Sequence, residues 1–358
     1  MPSNANQAVN EFNQQVKPVS LWADAWKRLR KNRMALMGLW ITALFAAVAI
    51  FAPLLPLINY AHQEMHFINM PPSLRPAGEV AITQAGKKVE QLQALVNQGR
   101  DNLKDDLVKA QAEYESVKAD ISSNPASRNV YILGTDYLGR DVLARTIYGG
   151  RISMLIGLVG TITSILIGVI YGAIAGYVGG RADNIMMRIV DIMYGLPYMM
   201  IVIIMIAVFS KEGQSSIFIL FIAIALVSWL TEARVVRGQV MSLKNAEFVE
   251  AAKSMGASST RIIFRHLLPN TLGIIIIFAT LNIPSFIMSE SFLSFLGLGV
   301  SAPLASWGTL VSEGVQGMEL FPWRLLVPAI AMTVFLFAMN FLGDGLRDAL
   351  DPQSKNRT

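Results

Sequence analysis

The chain has 358 residues, 53% of them hydrophobic and only 15% charged, with a net charge of +5 and no cysteine. A mean hydropathy of +0.45 excludes an ordinary soluble domain. The lack of cysteine excludes disulfides and thiolate metal sites.

Six stretches carry little or no charge: Met34–Leu57, Ile152–Val178, Ile189–Phe209, Gly213–Thr231, Leu267–Ser289 and Leu325–Gly343. About 20 apolar residues of helix cross the roughly 30 Å of hydrocarbon, and strand-like alternation is absent. The fold expected is an all-α membrane protein of six transmembrane helices. Basic residues orient it. The tail 1–33 holds six of them against Glu11 and Asp24, and Arg28, Arg30, Lys31 and Arg33 directly precede the first span, 34–57. The segment 234–270 likewise holds six against Glu247 and Glu250. Both are therefore expected in the cytoplasm, as is the C-terminal tail 346–358. The basic pI then follows topology and suits anionic lipid, with no call for nucleic acid. No small-residue cleavage site precedes the first span, which reads as an uncleaved anchor.

The segment 58–150 is expected outside. In it, Val89, Leu92, Val96, Gly99, Leu103, Leu107, Ala110, Tyr114, Val117 and Ile121 recur at spacings of three and four and end at Asn124-Pro125. This helical insert, about 84–124, is either one long helix or a hairpin turned at Gly99, and either a docking surface or a decoration packed on itself. His62 and His66 share a helical spacing without a carboxylate motif, so no metal is expected. After the insert comes Leu133-Gly134-Thr135-Asp136-Tyr137-Leu138-Gly139-Arg140-Asp141. The second span carries Gly160, Ser164, Gly168, Gly172, Gly176 and Gly180 on every fourth position. Such a stripe admits a close neighbour, in this bundle or in a second subunit. Asp191, Gly195 and Pro197 lie near the cytoplasmic end of the third span, Asp191 within reach of Arg188.

Between the fourth and fifth spans runs Glu250-Ala251-Ala252-Lys253-Ser254-Met255-Gly256, closed by Leu268-Pro269-Asn270. Asn245 is expected to cap a helix with Phe248, Ala252 and Met255 on one face, and Gly256 to end it. Ser258 or Ser259 is expected to cap a second short helix, with Ile262 and Ile263 inward and Arg261 and Arg265 outward. The fifth span holds Asn282, Pro284, Ser285, Ser289 and Glu290; Asn282, Ser285 and Ser289 are candidates to face a translocation path. Further on stand Ser306-Trp307-Gly308 and Gly343-Asp344-Gly345-Leu346-Arg347-Asp348. No G-x-x-x-x-G-K-[ST] phosphate loop and no nucleophile–base set occurs.

These motifs together resemble the permease subunits of ATP-binding-cassette importers, specifically the "C" type of the dipeptide, oligopeptide and nickel group. Ala144, where a serine is expected, His266, where a hydrophobic residue is usual, and the insert depart from that pattern. The resemblance implies a core at 151–345 and a coupling helix in the loop 234–270 that seats in a partner ATPase. Glu250, Ala251, Ala252 and Gly256 match the motif, with Arg261, Arg265 and Pro269 alongside. It further implies a second, "B"-type permease, two ATPase chains that bind the ATP and Mg, an extracytoplasmic substrate-binding protein, and a place in the bacterial inner membrane. The subunit itself would be no enzyme and hold no cofactor. Peptide is the expected cargo, with nickel or another small solute as the alternative. A transporter working without ATP is the remaining one.

Overall fold

The computed structural model describes residues 21–209 and 217–350. Most of the expected N-terminal tail, the start of the fourth span and the last eight residues lie outside them. Among the described residues the regular structure is helical, apart from an isolated bridge between Thr135 and Asp141.

Helix α1 (Leu21–Leu29) leads into α2 (Arg33–Phe51). Asn32 caps α2 by accepting from the amides of Met34 and Ala35. Large apolar side chains on α2 stand exposed, Trp40 at 71% and Ile50 at 69%. In water such a belt would be a liability; against acyl chains it is the expected surface. The first span ends sooner than the apolar run because Pro53 and Pro56 permit only a short 3-10 turn, Ala52–Leu54.

The insert is a hairpin: α3 (Ala77–Asn97) and α4 (Lys104–Ser123). Gly99 makes the turn at φ +92°, a sign that glycine alone adopts freely. Leu107 and Ala110 are buried along the seam, and Lys88 pairs with Glu113 at 2.6 Å. The hairpin starts at Ala77, earlier than the stripe indicated, with Gly78 tucked against Ile121.

Helix α5 (Val142–Val178) is 37 residues long, roughly 55 Å at 1.5 Å per residue. It begins ten residues before the apolar run. A charged first turn is possible there because Arg145 is neutralised by buried acid, described below. Helices α6 (Gly180–Tyr194) and α7 (Tyr198–Phe209) meet at a bend of 78°. The third span is therefore broken rather than continuous: Pro197 removes a backbone donor and drives Leu196 away from helical geometry. Helices α8 (Ile217–Ser228) and α9 (Leu230–Leu243) follow, then α10 (Glu247–Ser254) and α11 (Ser259–Ile262). The bundle closes with α12 (Leu268–Phe295), α13 (Trp307–Val315) and α14 (Trp323–Leu350). Among the described residues four helical segments are long and apolar enough to cross a membrane, five if the bent pair counts as one crossing. The fourth expected span is represented by the twelve residues of α8.

Helix α5 is the axis of the bundle, and its glycine stripe packs within this chain. A side chain added at Gly176 would lie 2.7 Å from the carbonyl of Arg237, and at Gly168 it would lie 2.7 Å from that of Trp229. At Gly172 it would overlap the carbonyl of Ala233, and at Gly160 the ring of Phe286. Ser164 donates to the carbonyl of Ser228 at 2.9 Å. So α5 and α9 touch backbone to backbone, as small residues permit in lipid. A second apolar cluster, Ile287, Trp307, Phe335 and Met339 with Phe45, joins α2, α12, α13 and α14.

Candidate functional site

The segment 245–268 forms a knob. Asn245 does not cap α10: the N-cap is Ala246, whose extended backbone supplies the first carbonyl and no side-chain bond. At the other end Gly256 has φ +78°, its amide donates to the carbonyl of Lys253 and the amide of Ala257 to that of Ala252. This paired closure satisfies two end carbonyls and reverses the chain. Ser258 then caps α11, accepting from the amide of Arg261. A π-helical turn, Ile263–Leu267, connects α11 to α12. Pro269 explains it, since its missing amide leaves the normal ladder incomplete. Asn270 donates instead to the carbonyl of His266 at 2.6 Å.

The knob has two unlike faces. Val249, Ala252, Ile262, Ile263 and Leu267 are buried in one cluster with Val169 and Ala173 of α5 and Val236 and Val240 of α9. The inward pair on α10 is thus Val249 with Ala252, while Phe248 and Met255 point outward, because the buried stripe follows the three-residue step from Val249. Glu250, Ala251, Gly256, Arg261, Arg265 and Pro269 are exposed. With Phe248, Phe264 and Met255, the last 80% exposed, they make a mixed apolar and charged surface attached firmly from behind.

A cleft of about 420 Å³ opens on the same helices. Asn282, Ser285 and Ser289 of α12 all line it, opposite Tyr194 and Tyr198 at the break and Ser228, Thr231 and Glu232 at the α8–α9 junction. Ser285 and Ser289 donate to the carbonyls of Leu281 and Ser285 one turn back. Asn282 donates its amide to Glu232. Tyr194 and Thr231 share a hydrogen bond of 2.5 Å at the rim, and Arg234 stacks on Tyr194 at 3.9 Å. Asp191 pairs with Arg234 at 2.6 Å, not with Arg188. The broken helix turns the next elements so that Asp191 meets α9. Glu232 escaped sequence reasoning because it falls one residue beyond the apolar run. The signal was present: an acid directly after nineteen apolar or neutral residues, 213–231.

On the opposite side of the chain the 133–141 motif proves structural. Asp136 accepts from Arg140 at 2.7 Å and from Arg145 at 2.6 Å, and Arg145 also reaches Glu313 of α13 at 2.7 Å. Thr135 accepts from the amide of Met70 and donates to the carbonyl of Phe67. Gly139 lies directly on the backbone of Glu64, where any side chain would collide. Asp141 caps α5 through the amides of Leu143 and Ala144, and burial pushes its carboxyl up to about 6. Ser306 and Thr309 form a capping box on α13, and the Trp307 indole donates to the carbonyl of Thr146. The motifs thus lock loop 64–70, α5 and α13 into one plate.

Residues 153–356 match the family model described as "Binding-protein-dependent transport system inner membrane component", and residues 20–72 match "N-terminal TM domain of oligopeptide transport permease C". The oligopeptide transport system permease protein OppC of Haemophilus influenzae is 50% identical over 66% of this chain and 74% of its own. OppC of Bacillus subtilis is 39% identical over 94% of this chain and 91% of its own. The dipeptide transport system permease protein DppC of the same organism is 40% identical over 97% and 91%. Among solved structures, a chain of the MetNI methionine ABC transporter in an inward facing conformation aligns with a TM-score of 0.48 at 18% identity. That alignment covers 58% of this chain and 97% of the other.

Proposed function

The chain belongs to the binding-protein-dependent transport system inner membrane components, and from that premise we propose that it carries peptides inward as one permease of an ATP-driven importer. Membership makes it a multi-pass inner-membrane protein that works with ATPases and a binding protein. Beyond that, our reading is that a second, similar permease completes the pathway and that both chain termini face the cytoplasm. The relatives named as oligopeptide and dipeptide permeases support peptide as cargo.

The observation that carries the coupling role is the two-faced knob. Its outer face, with Phe248, Glu250, Met255, Arg261 and Arg265, is free to seat in an ATPase. Its inner face shares a core with α5 and α9. A push on it cannot dissipate locally, because α5 and α9 are in backbone contact along the glycine stripe. The motion therefore reaches the first turn of α9, where Thr231 and Glu232 stand in the cleft wall. Asn282, Ser285 and Ser289 line the opposite side, which supports this cleft as part of the path. ATP-driven closure of the ATPases then reopens or closes the cleft, an alternating-access cycle powered from outside the chain.

The test is reconstitution of this chain with its sister permease, both ATPases and the binding protein in liposomes. Labelled oligopeptide should accumulate only with ATP. Accumulation of nickel instead would reassign the cargo, and peptide movement without the ATPases would contradict the coupled mechanism.

A further inference from the structure

Resting on the import reading above, we propose that Glu232 is a cation-recognising residue of the cleft and that its ligand is a primary ammonium group, as at a peptide's free N-terminus. A carboxylate inside an apolar bundle is costly unless donors surround it. Glu232 is 4% exposed, and only one of its oxygens has a donor, the amide of Asn282; Oε2 has none. Nearby cations are already committed: Arg234 to Asp191, Arg237 to Asp183, and Lys244 to the carbonyl of Gly176. On its other side Glu232 abuts a void of about 10 Å³ whose walls, among them Val169 and Ile275, offer no donor.

The other polar side chains of the cleft are hydroxyls and the Asn282 amide, all neutral. Ser285 and Ser289 spend their hydrogens on their own helix. The buried hydroxyls of Ser228 and Tyr198 have no partner. One carboxylate with an unpartnered oxygen among neutral hydroxyls, which accept as readily as they donate, suits a cationic donor, and an ammonium carries three N–H bonds and a positive charge. The stem of Glu232 packs on Gly168, so the carboxylate is held in place. A cleft of about 420 Å³ has room for a short peptide end beside it.

Because the chain has no cysteine, Ser289→Cys places a single reporter thiol in the cleft. In the assembled importer in nanodiscs, without the binding protein, its alkylation rate is followed against a short peptide and the same peptide N-acetylated. The free-amine peptide should protect the thiol and the acetylated one should not. Adding Glu232→Gln should raise the half-protecting concentration roughly tenfold or more, as expected for loss of a charge-assisted bond, and Glu232→Asp should restore part of the preference. Equal protection by both peptides overturns the assignment and needs no change at Glu232, so a Glu232→Gln chain that fails to assemble leaves the test intact. Unchanged selectivity in an assembled Glu232→Gln complex overturns it too. Absence of protection in a complex that still imports the peptide overturns the site alone. A complex with no ATP-dependent uptake overturns the import reading itself.

Discussion

Replacing Gly256 separates backbone sign from space at the joint of the knob. Its φ is +78°, and a Cβ built there would meet nothing within 4 Å. Any cost is therefore conformational: about 1–2 kcal/mol for an ordinary L-residue in the left-handed region, least for asparagine and most for a β-branched side chain. The fold as a whole should hold, because Val249 and Ala252 before the joint and Ile262 and Ile263 after it stay buried. The strain falls on the angle between α10 and α11, and 1–2 kcal/mol lowers the ratio of seated to unseated geometry about five- to thirtyfold. Peptide uptake per ATP hydrolysed, measured in liposomes at matched complex content, should fall in the order Gly256, then Asn, Ala and Val. Wild-type coupling in Gly256→Val would refute the reasoning. A Gly256→Asn variant as poor as Gly256→Val would show that open space, not φ, is what the joint requires.

Three further outcomes are expected. Gly172→Val drives a side chain into the carbonyl of Ala233, so the assembled protein should melt markedly lower in detergent, whereas Gly238→Ala, in open space, should be neutral or stabilising by up to about 1 kcal/mol. Asp136→Asn leaves Arg140 and Arg145, buried at 3% and 2% side-chain exposure, with the partly exposed Glu313 as their remaining acid; a loss of about 3–5 kcal/mol is expected, read by chemical denaturation. Asp141 titrates higher in the fold than unfolded, so its contribution is fully present below about pH 4 and lost as pH rises through about 6. Asp141→Asn, which still caps α5, should remove that downward slope and leave the variant at least as stable as wild type at pH 7, checked by thermal melts from pH 4 to 7.

Much of this architecture was readable from the chain. The apolar runs located the lipid-crossing helices, Gly99 allowed the hairpin, and Gly256 with Ser258 marked the joint and cap of the knob. What escaped was set by packing rather than by local chemistry. The inward face of α10 depended on which residues α5 and α9 cover, so Val249 replaced Phe248. The start of α5 at Val142 depended on Asp136, on the loop before it, and on Glu313, far along the chain, neutralising Arg145. The pairing of Asp191 with Arg234 followed from the 78° bend at Pro197, a direction that no periodicity encodes. Glu232 lay at the edge of an apolar run, where an acid ordinarily marks the water boundary, and only the cleft around it reveals its burial.

The most direct measurement is site-specific cross-linking from the outer face of the knob. A single cysteine replacing Met255, in a chain that has no other, should cross-link to an ATPase subunit with an efficiency that changes between nucleotide-free and ATP-bound states. A cysteine replacing the buried Val249 should not. A thiol at 255 that meets no ATPase in any nucleotide state, or that a membrane-impermeant reagent reaches from the outer surface, would contradict the account.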